Sequence, residues 1–187
     1  METAWIVSLI AVNACALIVG IMSYKSIKIN KYLNKAEKNA EGGNKSNALT
    51  YLDKALKISP KNINALTNKA VVLRDMGENH YDEAIEYYNK ALVLAQDEAL
   101  ITTINYHLGV LYCDMGKYFE SKKYYEKALE NNNLYSAEFW NNLGILHYHL
   151  NDKQEALRCF EKSLLIAPNY SLAEKNKKAL LNEINNY

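Results

Sequence analysis

Four polar side chains recur at one position of a repeating sequence: Asn34, Asn68, His107 and Asn142. The position before each holds Leu33, Thr67, Tyr106 and Asn141, and three residues after come Glu37, Val71, Val110 and Ile145. Near the ends of the same segments stand Glu41, Asp75, Asp114 and His149. Every Asn carries both donor and acceptor groups. A row of them suits the main chain of an extended peptide, whose unpaired amides and carbonyls need partners. Aliphatic neighbours would receive alternate side chains, and the carboxylates would favour a basic segment. The residue types for other chemistry are not assembled. His107 and His149 have no third ligand at close spacing, so no metal site is expected. Cys15, Cys113 and Cys159 have no paired spacing, which argues against a zinc site or a disulfide framework and fits a reducing compartment. No Gly-rich phosphate loop, zinc-protease motif or nucleophile elbow occurs. The pairs Tyr87/Tyr88 and Tyr124/Tyr125 read as core plus flank rather than a platform for bases. Neither catalysis nor a cofactor is expected.

The elements that must carry these residues are helix pairs. A pattern returns every 34 to 39 residues, four times. Its second half reads Ala48, Tyr51, Leu52, Ala55, Leu56; then Ala84, Tyr87, Tyr88, Ala91, Leu92; then Ser121, Tyr124, Tyr125, Ala128, Leu129; then Ala156, Cys159, Phe160, Ser163, Leu164. These spacings are helical. The first half centres on a small residue: Ala36, Ala70, Gly109, Gly144. Four positions earlier stands a larger one, Tyr32, Leu66, Asn105 or Trp140, and seven positions later a helix stop, Gly43, Gly77, Gly116 or Asn151. Gly and Asn tolerate the left-handed conformation that closes a helix. Two antiparallel helices approach closely only where side chains are small, and the aromatic of the second helix fills the space beside them. No single unit buries enough apolar surface to be stable, so the units must stack into a solenoid.

These residues resemble the tetratricopeptide repeat family. The fourth unit carries the match through Trp140, Leu143, Gly144, Ala156, Phe160 and Pro168, and the third through Leu108, Gly109, Tyr112, Gly116, Tyr125 and Ala128. The second matches through Ala70, Gly77, Ala84, Tyr88 and Ala91, with about two extra residues in its turn between Glu78 and Asp82. The first matches through Tyr32, Ala36, Ala48, Leu52, Ala55 and Pro60, but has Lys35 and Asn39 where an apolar and an aromatic residue are usual. The expected fold is an all-α, tetratricopeptide-like solenoid preceded by one transmembrane helix. Its bounds are an anchor at 1–25 and a repeat domain at 26–187. The units lie at about 29–62, 63–101, 102–136 and 137–170, with a closing helix at 171–185 capped by Ser171. The resemblance implies that the first helices line a concave groove. Asn34, Asn68, Tyr106, His107, Asn141, Asn142, Asp75 and Asp114 would then face a partner. Some family members clamp a chaperone's C-terminal carboxylate with Lys and Asn. Leu33, Glu37, Thr103 and His107 occupy the matching positions here and disfavour that use.

The formal net charge is +1, which offers no basic face for nucleic acid. From Trp5 to Met22 no charged residue occurs. A bilayer core needs about 20 residues of helix. Trp5 and Tyr24 bracket the run, where interfacial aromatics sit, so residues 5–24 are expected to anchor the chain in a membrane. Glu2 precedes the run, while Lys25, Lys28, Lys31, Lys35 and Lys38 follow it. The positive-inside rule then puts the N-terminus outside and the repeats in the cytoplasm as a single-pass protein. The rival is a cleaved secretory signal, which would make the repeats secreted or periplasmic. It lacks a basic start, and Ala14-Cys15-Ala16 sits in mid-run. The expected function is a membrane-anchored scaffold or adaptor that binds a partner peptide or helix, basic or apolar in character. The alternative is a structural subunit, or a chain that assembles with copies of itself.

Overall fold

The computed structural model describes residues 2–130 and 136–186, with side chains described from Ala14 onward. Its helices are α1 (Glu2–Glu41), α2 (Lys45–Ile58), α3 (Ile63–Met76), α4 (Tyr81–Leu94), α5 (Glu98–Asp114), α6 (Tyr118–Leu129), α7 (Ala137–His149), α8 (Lys153–Ile166) and α9 (Ser171–Asn185). No strand occurs among the described residues. The helices pair in chain order as α1/α2, α3/α4, α5/α6 and α7/α8, and α9 closes the last pair. The extra residues of the second unit form a 3-10 turn, Glu78–His80.

Local chemistry sets the helix ends. Asn44, Asn62, Asp97, Ser136 and Asp152 each accept a hydrogen bond from the main-chain N–H three residues on, at 2.8–3.1 Å. Each satisfies one of the donors that a helix start leaves unpaired. Ser171 does not cap α9: Tyr170 holds the cap position without a side-chain bond, and Ser171 is the first helical residue. Gly43, Gly77, Gly116 and Asn151 all have positive φ, between 62° and 104°, and turn the chain from the first helix of each pair into the second.

The core is an interlock of small residues and rings. A Cβ on Gly144 would lie 2.6 Å from the Phe160 ring, and one on Gly109 would lie 2.8 Å from the Tyr125 ring. Tyr88 and Tyr125 are fully buried, as are Leu52, Ala48, Ala84 and Ala156. Buried hydroxyls tie the helices: Ser121 Oγ donates to the Gly109 carbonyl at 2.7 Å, and Ser163 Oγ to the Ala137 carbonyl at 2.6 Å.

Helix α1 differs from the rest. Its 40 residues span about 60 Å, whereas the 14 residues of α2 span about 21 Å. Ile29, Leu33, Ala36 and Ala40 pack on the repeats. Every described side chain from Ala14 to Lys28 is exposed, Leu17, Val19, Met22, Tyr24 and Ile27 at 61–68%. Among the described residues no helix is long and apolar enough to cross a membrane, so the expected transmembrane helix is not established. Trp5 to Asn13, half of the apolar run on which that expectation rests, lie outside the described side chains.

Gly144→Ala tests the interlock. Ala favours helix over Gly by about 1 kcal/mol, but a methyl forced against a buried ring costs about 1–3 kcal/mol. We expect a net loss of stability of up to about 2 kcal/mol in urea unfolding, with α-helical circular dichroism unchanged before the transition.

Candidate functional site

Successive first helices pack directly on one another: α3 on α5, α5 on α7, and α7 on α9. Successive second helices make no comparable contact among the described residues. The first-helix layer is therefore the inner, narrower side of the stack. The sequence-derived candidates lie on the first helices, and all but Asn34 fall into three groups rather than one continuous row.

The first group is a directed chain of hydrogen bonds across α9, α7 and α5. Asn176 Nδ2 donates to Asn141 Oδ1 at 2.9 Å, and Asn141 Nδ2 donates to Asn142 Oδ1 at 3.3 Å. Asn142 Nδ2 donates to the Tyr106 hydroxyl at 2.8 Å, and that hydroxyl donates to Glu138 Oε1 at 3.1 Å. All four donors point the same way, toward the carboxylate. Burial, with Glu138 beside it, pushes the Tyr106 pKa far above 10, so its hydroxyl stays a donor. Asn141 is buried and serves this chain; Asn142 and Tyr106 are half-buried and keep an accessible edge.

The second group surrounds His107. Its ring stacks on Tyr88 at 5.9 Å and leans on Tyr106 at 5.1 Å, and its Nδ1 is buried with no hydrogen-bond partner among the described residues. Burial, with Arg74 nearby, pushes its pKa from the ordinary 6.5 down to about 4. His107 is thus a neutral, half-buried ring packed against α4, with its Nδ1 turned inward. His149 is exposed and stacks on Tyr118 at 4.6 Å.

The third group is acidic. Arg74 Nη2 lies 2.8 Å from Asp75 Oδ1, and Arg74 Nε lies 3.8 Å from Asp114 Oδ2. The guanidinium, 19% exposed, thus stands between two half-exposed carboxylates and leaves the trio with one formal negative charge. Burial and Asp75 raise the Asp114 pKa against the pull of Arg74. The attraction for a basic segment is accordingly weaker than two free aspartates would give. Asn68 is exposed on the same helix, α3, as Arg74 and Asp75. Asn34, also exposed, stands apart: its surroundings are Ile27, Asn30, Lys31, Lys35 and Lys38 of the same helix.

Three residues of this face had not been singled out in the sequence. Arg74 carried a signal, as one of only two arginines among twenty lysines. Glu138 stood in a helix's first turn, a common place for a carboxylate with no partner implied. Nothing in the repeat register pointed to Asn176, because the closing helix lies outside that register.

Family models described as Tetratricopeptide repeat match residues 32–62, 65–101 and 100–169. The human Protein O-mannosyl-transferase TMTC3 is 33% identical over 134 residues, which cover 69% of this chain and 14% of that protein. The Hordeum vulgare Probable UDP-N-acetylglucosamine--peptide N-acetylglucosaminyltransferase SPINDLY is 32% identical over 126 residues, 65% of this chain and 13% of that protein. The chain thus spans about a seventh of the length of these curated relatives. Among solved structures, pilF of Pseudomonas aeruginosa superposes with a TM-score of 0.74 at 23% identity, over 87% of this chain and 72% of that one. PilW, a widely conserved type IV pilus biogenesis factor, superposes with a TM-score of 0.69 at 24% identity, over 81% and 70%. At these identities the structural likeness is one of fold.

The His107 environment makes stability depend on pH. The unfolded chain takes up a proton near pH 6.5, whereas the folded chain does so only near pH 4. Stability contributed by the neutral ring is complete above pH 6.5 and is lost as pH falls toward 4, by about 2–3 kcal/mol. His147, also held down by burial, adds a smaller effect of the same sign. We expect the urea midpoint of His107→Gln to fall less between pH 7 and pH 4 than that of the native chain.

Proposed function

The chain is built of tetratricopeptide repeats, and from that premise we propose that it is a membrane-anchored scaffold that holds a protein partner on its inner face. The observation that carries this reading is the make-up of that face. Val71, Val110 and Ile145 remain half-buried along α3, α5 and α7, beside accessible amides on Asn68 and Asn142. Half-covered aliphatic side chains next to hydrogen-bonding groups suit an extended peptide or one face of a helix, since both present main-chain polar groups and apolar side chains at regular intervals. Proteins built of these repeats act as interaction scaffolds, and no reaction is assigned to this chain. The transferase activities in the names of TMTC3 and SPINDLY belong to those much longer proteins.

The anchor is residues 5–24, with the N-terminus outside and the repeats in the cytoplasm, as the charge bias across the run favours. The unbroken α1 supports a rigid tether, since no Pro or linker separates the apolar segment from the first repeat. Confinement next to the bilayer would raise the effective concentration of a partner for other components at that membrane. A second reading, self-assembly into a structural subunit, draws on the outer layer. There Val93, Phe119 and Leu165 are 76–87% exposed, each on a second helix.

Photocrosslinking separates the two. With a photoreactive phenylalanine at position 68, on the inner face, we expect a heterologous adduct in membranes from the native cell. The same probe at position 93, on the outer layer, should give none. Homodimer adducts from position 93 and none from position 68 would instead establish self-assembly and remove the inner-face reading.

A further inference from the structure

The geometry points to a phospholipid site at the junction of α1 and α2, selective for a lipid of net negative charge. The inference rests on the anchor reading and extends it from the apolar run to the repeats themselves. An open depression lies between the exposed part of α1 and the C-terminal end of α2. Its polarity changes with depth. Leu17 and Ile21 line it on the N-terminal side, Tyr24 follows, and Lys25, Lys28 and Lys57 close it. Leu17 and Lys28 are 11 residues apart, about 16 Å along a helix. That is room for a headgroup and the upper part of its acyl chains.

Two features separate this arrangement from a plain topology signal. Lys57 comes from α2, not from the flank of the apolar run, yet lines the same depression as Lys25 and Lys28. The pairing of a 14-residue α2 with the far end of α1 puts the C-terminus of α2 at this level. Second, no carboxylate lines the depression, and none of the three lysines is in an ion pair among the described residues. Lys28 Nζ lies 5.8 Å from the centre of the Tyr24 ring, its charge at the level of an interfacial aromatic. Three ammonium groups around one opening, beneath an apolar wall, complement a phosphate whose acyl chains run upward along α1. Binding there would set the first repeat against the bilayer surface and fix how the solenoid stands on the membrane.

The test uses the full chain in nanodiscs of phosphatidylcholine alone and of phosphatidylcholine with phosphatidylglycerol. Retained lipids are identified by native mass spectrometry. We expect the native chain to retain phosphatidylglycerol above its share of the bilayer. Lys57→Gln, which leaves the flank lysines and the topology signal in place, should lower that preference about fivefold. Lys54→Gln, on α2 but outside the depression, should not change it. Equal retention of the two lipids, or a preference unchanged in Lys57→Gln, would overturn the site while leaving the anchor intact. Failure to enter nanodiscs of either composition would overturn the anchor reading, and the site with it.

Discussion

The close contact between a ring on one helix and a glycine or alanine on its partner is the constraint on which this structure depends. In the third and fourth pairs the contact is so tight that a single added carbon at Gly109 or Gly144 would enter the ring opposite. The first pair reaches the same end with Leu52 against Ala36, and the second places Tyr88 in one core with Ala70. Because the aromatic comes from the second helix, the outer layer supplies bulk while the inner helices lie close to one another. That asymmetry gives the stack an inner and an outer side. It also has a polar consequence. The buried hydroxyls of Tyr88 and Tyr125 have no partner among the described residues, and neither have Asn105 Oδ1 and His107 Nδ1. All four atoms belong to α5 or to the second helices on either side of it. Among the described residues the fourth pair, with Phe160 in the equivalent place, carries no such group.

Much of this architecture was legible in the sequence because it follows from residue size and backbone conformation. Ala36, Ala70, Gly109 and Gly144 marked the close approaches, and Gly43, Gly77, Gly116 and Asn151 marked the turns, all four with positive φ. The inner face was legible only as a set of positions. A repeat register states which residues are equivalent; it does not state which neighbours they meet across units. Asn142 is equivalent to Asn34, yet Asn142 has Tyr106 of the preceding unit within hydrogen-bonding reach. Asn34, on the first unit, is exposed and shares a shallow depression with residues of its own helix. His107 holds the same register position but is half-buried, its ring stacked on Tyr88 and leaning on Tyr106 of its own helix. The acidic character assigned to Asp75 and Asp114 was diluted by Arg74, the side chain just before Asp75.

Helix α1 joins the two halves of the functional reading. Its C-terminal part is the first helix of the first repeat, and the described side chains before it, Ala14 to Lys28, are exposed and apolar for the most part. A helix without a break transmits orientation as well as position, so whatever surface receives that segment also fixes the pose of the first repeat. The inner face then presents Asn68, Asn142 and the aliphatic side chains beside them at a set angle to that surface.

Collision accessibility of spin labels along α1 addresses this arrangement most directly. With Cys15, Cys113 and Cys159 replaced, single nitroxides would be placed at positions 17, 21, 24 and 28 of the full chain in liposomes. Oxygen and a water-soluble nickel chelate report lipid and water respectively. The tethered arrangement requires oxygen-dominated collisions at 17 and 21, a crossover near 24 and nickel-dominated collisions at 28. Nickel access at 17 and 21 as high as at 28 would contradict it, and would leave a solenoid with an exposed apolar rod that no bilayer covers.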